Sequence, residues 1–341
     1  MSVLSRIQGF ASRHKNKFLI GGAFISGSII LTKYAQYKFK EWQEKETSEF
    51  FDRNRKQNHF ESIGRTTNQT LSNFSVSLLD LISEIINTDE VIENIKANPD
   101  KKVELWNSLK LLVFTKVSVT VYSIVMLAVV LNVQLTVIGG YMYKDPNRVP
   151  TDIQEKYLSL SEKFINLGIQ KLAELIEYEM KKLVSGMELS KLLKLGDIES
   201  LFWSLQVSLS SLKDGPIEQF RKYIIPEENN SSDSVYDSMV RDTADLLESE
   251  EVKSLVTHCI NQGFITLGDQ LAELYSKSDM TTNGSGESFI NPFELQKPLA
   301  KLIPLINGLL TKQSFPQVLI QQLNTNKKIQ TFNANIYESL L

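Results

Sequence analysis

Hydrophobic residues recur along this chain at steps of three and four, the spacing of one face of an α-helix. Prolines leave long uninterrupted stretches for such helices, at residues 1–98, 100–145, 151–215 and 227–291. Sustained alternation of apolar and polar residues, which is typical of a strand, is not obvious. The pattern therefore predicts an all-α fold built as a helical bundle. Three apolar stripes support this prediction: Leu71, Phe74, Leu78, Leu81 and Ile85; Leu172, Ile176, Met180 and Leu183; and Ile260, Phe264, Leu267, Leu271 and Leu274.

The amino-terminal stretch from Phe18 to Thr32 contains fifteen residues without a charge. At about 1.5 Å per residue, a helix of this length covers roughly 22 Å of the roughly 30 Å hydrocarbon core of a bilayer. Lysines at both ends can extend that length by snorkelling, so we predict a transmembrane anchor at residues 18–33. A cleaved signal peptide and a buried soluble helix are the alternatives. A signal peptide would need a small-x-small cleavage site before Lys33, and none is evident.

A second apolar stretch, from Val117 to Tyr143, contains twenty-seven uncharged residues. By length it meets the criterion for a membrane span more easily than the first stretch does. Polar residues on several of its faces, among them Asn132 and Gln134, are equally compatible with the central helix of a large bundle. The residues alone leave both interpretations open. The alternative function is therefore a two-span membrane protein or transporter component that uses Val117–Tyr143 as its second span.

These patterns divide the chain into four predicted parts. A short basic tail, residues 1–17, precedes the anchor at 18–33. A charged membrane-proximal helix or linker, residues 34–60, then leads into a helical-bundle domain at 61–341. Breaks between helices are expected where proline, glycine and polar residues cluster. These segments are Asn98–Asp100, Lys144–Pro150, Pro226–Ser234 and Ser278–Ser288.

Composition and charge indicate a folded protein in a reducing compartment. The chain of 341 residues is 42% hydrophobic and 23% charged, and its one cysteine, Cys259, cannot form an intrachain disulfide. Residues 1–40 contain seven basic residues and no acid, so residues 41–341 carry a charge of −10 within an overall net charge of −3. An acidic body with a short basic end argues against a nucleic acid as the partner.

Residues that could support catalysis are sparse. His14, His59 and His258 are widely separated, and neither an HExxH nor a CxxC motif occurs. We therefore expect no metal or other cofactor, no small-molecule substrate and no enzyme activity. A hydrolase built on Cys259 with His258 or His59 is the remaining catalytic alternative, and a lone buried cysteine is the simpler interpretation.

The segment Lys101–Lys116 offers a candidate binding surface. Lys102, Trp106 and Leu109 follow one another at steps of four and three, so they share one face of a helix. Tryptophan beside leucine, with lysine at the rim, suits an apolar groove that receives an amphipathic, partly acidic helix. An ordinary core position for Trp106 is the competing interpretation, and the residues alone favour it.

Seven segments, spread from the amino terminus to near the carboxyl end, together carry a family resemblance. They are RHKNKFLIGG (Arg13–Gly22), HFES (His59–Ser62), RTTNQT (Arg65–Thr70), ELWNSLKLLVFTKVSVTVYS (Glu104–Ser123), LNVQLTVIGGYMY (Leu131–Tyr143), NQGF (Asn261–Phe264) and LAKLIPLINGLL (Leu299–Leu310). In this order the segments resemble the peroxin-three family, the peroxisomal membrane biogenesis factors that act as docking receptors.

The resemblance implies an integral peroxisomal membrane protein that crosses the membrane once and keeps the bulk of its chain in the cytosol. It also implies a role in peroxisome biogenesis, as the docking receptor for peroxin nineteen, the chaperone that carries newly made peroxisomal membrane proteins. The implied partners are an amphipathic amino-terminal helix of peroxin nineteen and peroxisomal membrane lipid. By the same analogy, Val117–Tyr143 is expected to be an interior helix of the bundle.

The resemblance also indicates where the chaperone would bind. Trp106 matches the tryptophan of the family's groove and Lys102 its neighbouring lysine, while Leu109 continues the same face. This implies a partly exposed position for Trp106 and reverses the expectation drawn from the residues alone. The six expected groove residues are Ile95, Lys102, Trp106, Leu109, Leu189 and Lys301.

Overall fold

The computed structural model of this chain describes residues 15–225, 234–280, 293–311 and 314–341. The chain divides into two compact units, residues 1–59 and residues 60–341. Several predicted features lie outside the described residues: positions 1–14 of the basic tail, and most of the breaks at Pro226–Ser234 and Ser278–Ser288. The predicted anchor at 18–33 has a helical backbone, and its side chains also lie outside the description.

Helices account for most of the described residues, so the predicted all-α fold is confirmed. Single 3₁₀ turns at Pro99–Lys101 and Pro146–Arg148 separate helices where two of the breaks are predicted. A π-helical turn at Phe164–Gly168 joins the helix Thr151–Lys163 to the helix Ile169–Val184. The described α-helices are α1 (Lys15–Ile85), α2 (Thr88–Ala97), α3 (Lys102–Lys144), α4 (Thr151–Lys163), α5 (Ile169–Val184), α6 (Leu195–Ser210), α7 (Phe220–Ile224), α8 (Ser234–Glu248), α9 (Glu250–Met280), α10 (Leu299–Thr311), α11 (Ser314–Asn324) and α12 (Lys327–Leu340).

The described part of the first unit is the amino-terminal portion of α1. Its charged side chains pair along the helix, with Lys38 Nζ 2.9 Å from Glu41 Oε2 and Lys45 Nζ 3.9 Å from Glu49 Oε1. Pairs of this kind on an exposed helix each contribute only a few tenths of a kcal/mol, about 0.2–0.5. Four large aromatic side chains in this unit are also exposed: Tyr37, Trp42, Phe50 and Phe51.

The second unit is a bundle arranged around α3. Every residue of α3 from Val113 to Gly140 is buried, and α5, α9, α10 and α12 are among the helices that pack against it. Within the described residues, one helix, Pro99–Lys144, is long and apolar enough to cross a membrane, with a mean hydropathy of 2.2 in its most apolar window. That window is entirely covered by protein. The structure thus has Val117–Tyr143 as the central helix of the bundle and not as a lipid-facing span.

Two polar side chains inside α3, those of Asn132 and Gln134, form hydrogen bonds that reach neighbouring helices. Asn132 Nδ2 donates to the Ala128 carbonyl at 2.7 Å, and Asn333 Nδ2 of α12 donates to Asn132 Oδ1 at 2.5 Å. Gln134 Nε2 donates to the Tyr157 carbonyl at 2.7 Å. A buried polar group without such a partner costs about 1–3 kcal/mol, so these bonds fix the position of α3 relative to α4 and α12.

Candidate functional site

The expected binding residues lie on α2, the start of α3, the 185–191 segment and the start of α10. Asn87 caps α2, its side chain accepting from Glu90 N at 3.1 Å, and the helix ends at Ala97. The turn at Pro99–Lys101 then reverses the chain into α3, because proline disfavours helical geometry in the residue before it. Helices α2 and α3 consequently pack against each other, and Ile95 becomes a half-buried residue on the shared core.

Side-chain exposure decreases along the first turns of α3. Lys102 is exposed, Trp106 is half-buried and packs against the core, and Leu109 is only 3% exposed. Trp106 is therefore partly exposed, whereas Leu109 is almost completely buried. Val103, which lies beside this stripe, is 71% exposed.

Lys110 belongs to this region although sequence reasoning did not select it. It is only 2% exposed, and its Nζ donates to the Met187 carbonyl at 2.6 Å and to Asn107 Oδ1 at 3.1 Å. Burial lowers the pKa of the Lys110 ammonium. The long-range bond ties α3 to the 185–191 segment, one turn beyond Trp106. A lysine in a lysine-rich helix gives no sequence signal of such a contact.

A short ladder joins the other two expected residues. Strands β1 (Leu192–Leu193) and β2 (Lys297–Pro298) pair antiparallel, and just beyond them Ala300 N donates to the Leu189 carbonyl at 3.0 Å. This bond places half-buried Leu189 beside the residue that precedes exposed Lys301. The structure thus connects Leu189 to α3 through Lys110 and to α10 through Ala300.

Buried side-chain hydrogen bonds also connect α2, α3 and α10. Lys116 Nζ lies 3.5 Å from Thr88 Oγ1, which in turn donates to Asn307 Oδ1 at 3.2 Å. Burial lowers the pKa of Lys116, and the nearby Asp89 carboxylate partly opposes that effect. Three of the elements that carry the expected groove residues are therefore fixed relative to one another before any partner binds.

Ile95, Trp106, Leu109 and Leu189 are apolar, and Lys102 and Lys301 are basic. Among the described residues, no group of three or more His, Cys, Asp or Glu side chains could hold a metal ion. Cys259 is fully buried, and burial raises the pKa of its thiol to about 11. A buried, protonated thiol is a poor nucleophile, so the structure has Cys259 as a core residue rather than as the centre of a hydrolase.

Comparison with known proteins gives the family. The Peroxin-3 family model matches residues 93–146 and 141–339. The human protein Peroxisomal biogenesis factor 3 is 32% identical over 99% of this chain and 98% of its own length, and the mouse protein of that name is 30% identical over the same shares. Peroxisome biogenesis protein 3-2 of Arabidopsis thaliana is 21% identical over 98% of this chain and 99% of its own. The matches include the segments that form the surface around Trp106, and the chain belongs to the Peroxin-3 family.

Proposed function

We propose that this chain is the docking receptor of the peroxisomal membrane for the cargo-loaded chaperone peroxin nineteen. Membership of the family assigns it to peroxisome biogenesis and to no known class of enzymes. The observation that carries the finer proposal is half-buried Trp106, which has exposed Lys102 one turn before it and buried Leu109 one turn after it on α3.

The arrangement suits an amphipathic helix with apolar residues on one face and acidic residues beside them. Trp106, Ile95 and Leu189 would contact its apolar face, and Leu109 would support Trp106 from below. Truncation of a buried aromatic anchor at an interface typically costs more than about 2 kcal/mol. Lys102 and Lys301, both exposed, would attract the acidic residues and act mainly on the association rate.

Delivery of newly made peroxisomal membrane proteins also requires that the receptor lies in the peroxisomal membrane. We propose that residues 18–33 cross the peroxisomal membrane once and that the bundle lies in the cytosol. The burial of α3 supports a single span, because it leaves the amino-terminal stretch as the remaining apolar segment long enough to approach bilayer thickness.

The test replaces Trp106 with alanine in the purified chain and measures peroxin nineteen binding by calorimetry. We expect affinity to fall at least about tenfold, because an anchor is lost, while the melting temperature changes by only a few degrees. Trp203→Ala is the matched control, since Trp203 is also partly exposed but belongs to α6. Equal binding by the Trp106→Ala and wild-type proteins, or a collapse of the fold in Trp106→Ala, would contradict the proposal.

A further inference from the structure

A second groove, with a cavity volume of about 550 Å³, lies between α6 and α9. The residues that line it belong to neither α2, the start of α3, nor α10, which carry most of the expected peroxin nineteen site. Docking of that chaperone, as proposed above, makes no use of it. Its floor, walls and charge each bear on what it could bind.

The floor of the groove is aromatic and anchored in the core. The rings of Phe202 and Phe264 stack with their centroids 5.0 Å apart, and both residues are buried. Beneath them, Phe114 and Tyr122 of α3 approach within 5.8 Å of Phe202 and 6.3 Å of Phe264, respectively. Ring contacts among α6, α9 and α3 pack this floor closely, and this packing resists collapse of the floor into the groove.

The walls present large apolar side chains to solvent. Trp203 on α6 is 61% exposed and Ile265 on α9 is 54% exposed, and both line the groove. Val207, one turn beyond Trp203 on the same helix, is also exposed. Apolar side chains grouped around a preformed hollow are typical of a surface that a partner covers.

The two ends of the groove differ in chemistry. At one end Glu199 lies against α9, where a Cβ added at Gly268 would be 3.0 Å from Glu199 Oε1, and Asp269 follows Gly268. At the other end lie the amides of Gln206 and Asn261. Neither α6 nor residues 259–275 of α9 contain a lysine or arginine. The charge lining the groove is therefore acidic, and it is concentrated at one end.

We propose that this groove binds a cationic amphipathic helix of a second protein partner. The distance along α6 from Gly196 to Gln206 corresponds to about 15 Å, or about three helical turns. The bound helix places arginine or lysine against Glu199 and Asp269, and its apolar residues between Trp203 and Ile265. This preference is opposite in charge to that proposed for the surface around Trp106, so the two sites select different partners.

Acidic charge also distinguishes this occupant from a lipid surface. Membranes with anionic lipids attract basic surfaces, whereas carboxylates at the mouth of the groove repel them. A polypeptide with basic residues at one end and apolar residues behind them satisfies the charge and the shape of the groove together.

The test uses the full chain in nanodiscs of zwitterionic lipid and a fluorescein-labelled synthetic helix as the probe. The peptide has about 18 residues, or about five turns, with leucines at positions i, i+3, i+4 and i+7 and arginines in one terminal turn. We expect saturable binding that weakens at least about tenfold in Trp203→Ala and several-fold in Glu199→Gln/Asp269→Asn, the latter with a smaller salt dependence. Trp106→Ala, the matched tryptophan control, should bind the peptide as the wild type does.

Several results would overturn the inference. One is a peptide affinity that is unchanged in both groove variants. Another is equal Trp203-dependent binding of a matched peptide in which glutamate replaces every arginine. Self-association of the chain that is lost in Trp203→Ala, without peptide binding, would assign the groove to a second copy. Trp203-dependent binding to anionic vesicles, again without peptide binding, would assign it to lipid.

Discussion

Lys110 shows how a single buried side chain can shape a surface that it does not itself present. Its ammonium group reaches the Met187 carbonyl at 2.6 Å and so holds the 185–191 segment, which carries Leu189, against α3. An ion buried this deeply costs free energy, and an apolar residue of similar volume often replaces it without net loss of stability. Lys110 therefore positions a neighbouring segment more than it stabilises the fold.

We expect Lys110→Met to weaken peroxin nineteen binding by about three- to tenfold while the free energy of unfolding changes by less than about 1–2 kcal/mol. The reason is that the variant loses the bond to Met187 but keeps the packing of the side chain. Hydrogen exchange should increase at residues 187–191. Lys171→Met, at an exposed lysine of α5, is the control and should change none of these quantities. A large loss of stability with unaltered binding would assign Lys110 to the core alone.

At the residue scale, the sequence predicted which side chains share a face but not how deeply each is buried. The steps of four and three from Lys102 to Leu109 placed these residues correctly on one stripe of α3. The gradient from exposed Lys102 to buried Leu109 depends on neighbouring helices, among them α2, which packs against α3. Spacing along one helix carries no information about a neighbouring helix, so groove and core could not be separated from the residues alone.

At the scale of the helices, close approach depends on a few glycines. A Cβ added at Gly263 of α9 would lie 2.8 Å from Val121 Cγ1 of α3 and 3.4 Å from Leu319 Cδ1 of α11. The atom at 2.8 Å is closer than van der Waals contact allows, so the Val121 side chain or one of the packed helices would have to shift. Gly64 of α1, in contrast, has nothing within 4 Å of an added Cβ.

We therefore expect Gly263→Ala to lower the free energy of unfolding by about 1–3 kcal/mol through overpacking. Gly64→Ala should raise it by about 0.5–1 kcal/mol, because alanine is the better helix former and open space surrounds the site. Urea denaturation of both variants measures the difference. Similar effects of the two substitutions would mean that α9 and α3 are less closely packed than the structure has them.

Whether the central helix α3 is surrounded by lipid or by protein could not be predicted from the residues alone. Helical periodicity gave the fold class, and proline gave the ends of α2 and α3. Whether Val117–Tyr143 faces lipid or protein depends on α5, α9, α10 and α12, whose residues lie far along the chain. Its polar side chains, Asn132 and Gln134 among them, left both interpretations open, because they need buried partners in either setting. Those partners, Asn333 and the Tyr157 carbonyl, could be identified only in the folded structure.

For the whole molecule, the proposed single-span topology makes a direct prediction. A truncated chain that begins at Glu41 should be soluble without detergent and retain its helicity, because the apolar window of α3 is covered by protein. Sedimentation and circular dichroism in detergent-free buffer check this. Aggregation that is relieved only by lipid or detergent would favour the two-span alternative and count against the proposed topology.

The two grooves could be anticipated to different degrees. The surface around Trp106 was suggested by a tryptophan and lysines close together on one helix and then by the family resemblance. The groove between α6 and α9 combines Trp203 with Ile265, which lie more than sixty positions apart. No periodicity links such residues, since the antiparallel pairing of two helices brings them together only after folding. Local spacing therefore predicts surfaces carried by one helix and misses those shared by two.

The covered central helix has a consequence for the newly made chain. Until α12 is synthesised, Asn132 lacks the Asn333 amide, and the apolar surface of α3 that α12 covers is open. A nascent chain in that condition displays a segment that membrane insertion machinery selects by hydropathy. Bundle closure and membrane insertion would then compete for α3, and synthesis of α12, Lys327–Leu340, would shift the outcome towards closure. A peroxisome biogenesis factor would thus itself depend on the timely shielding of an apolar helix.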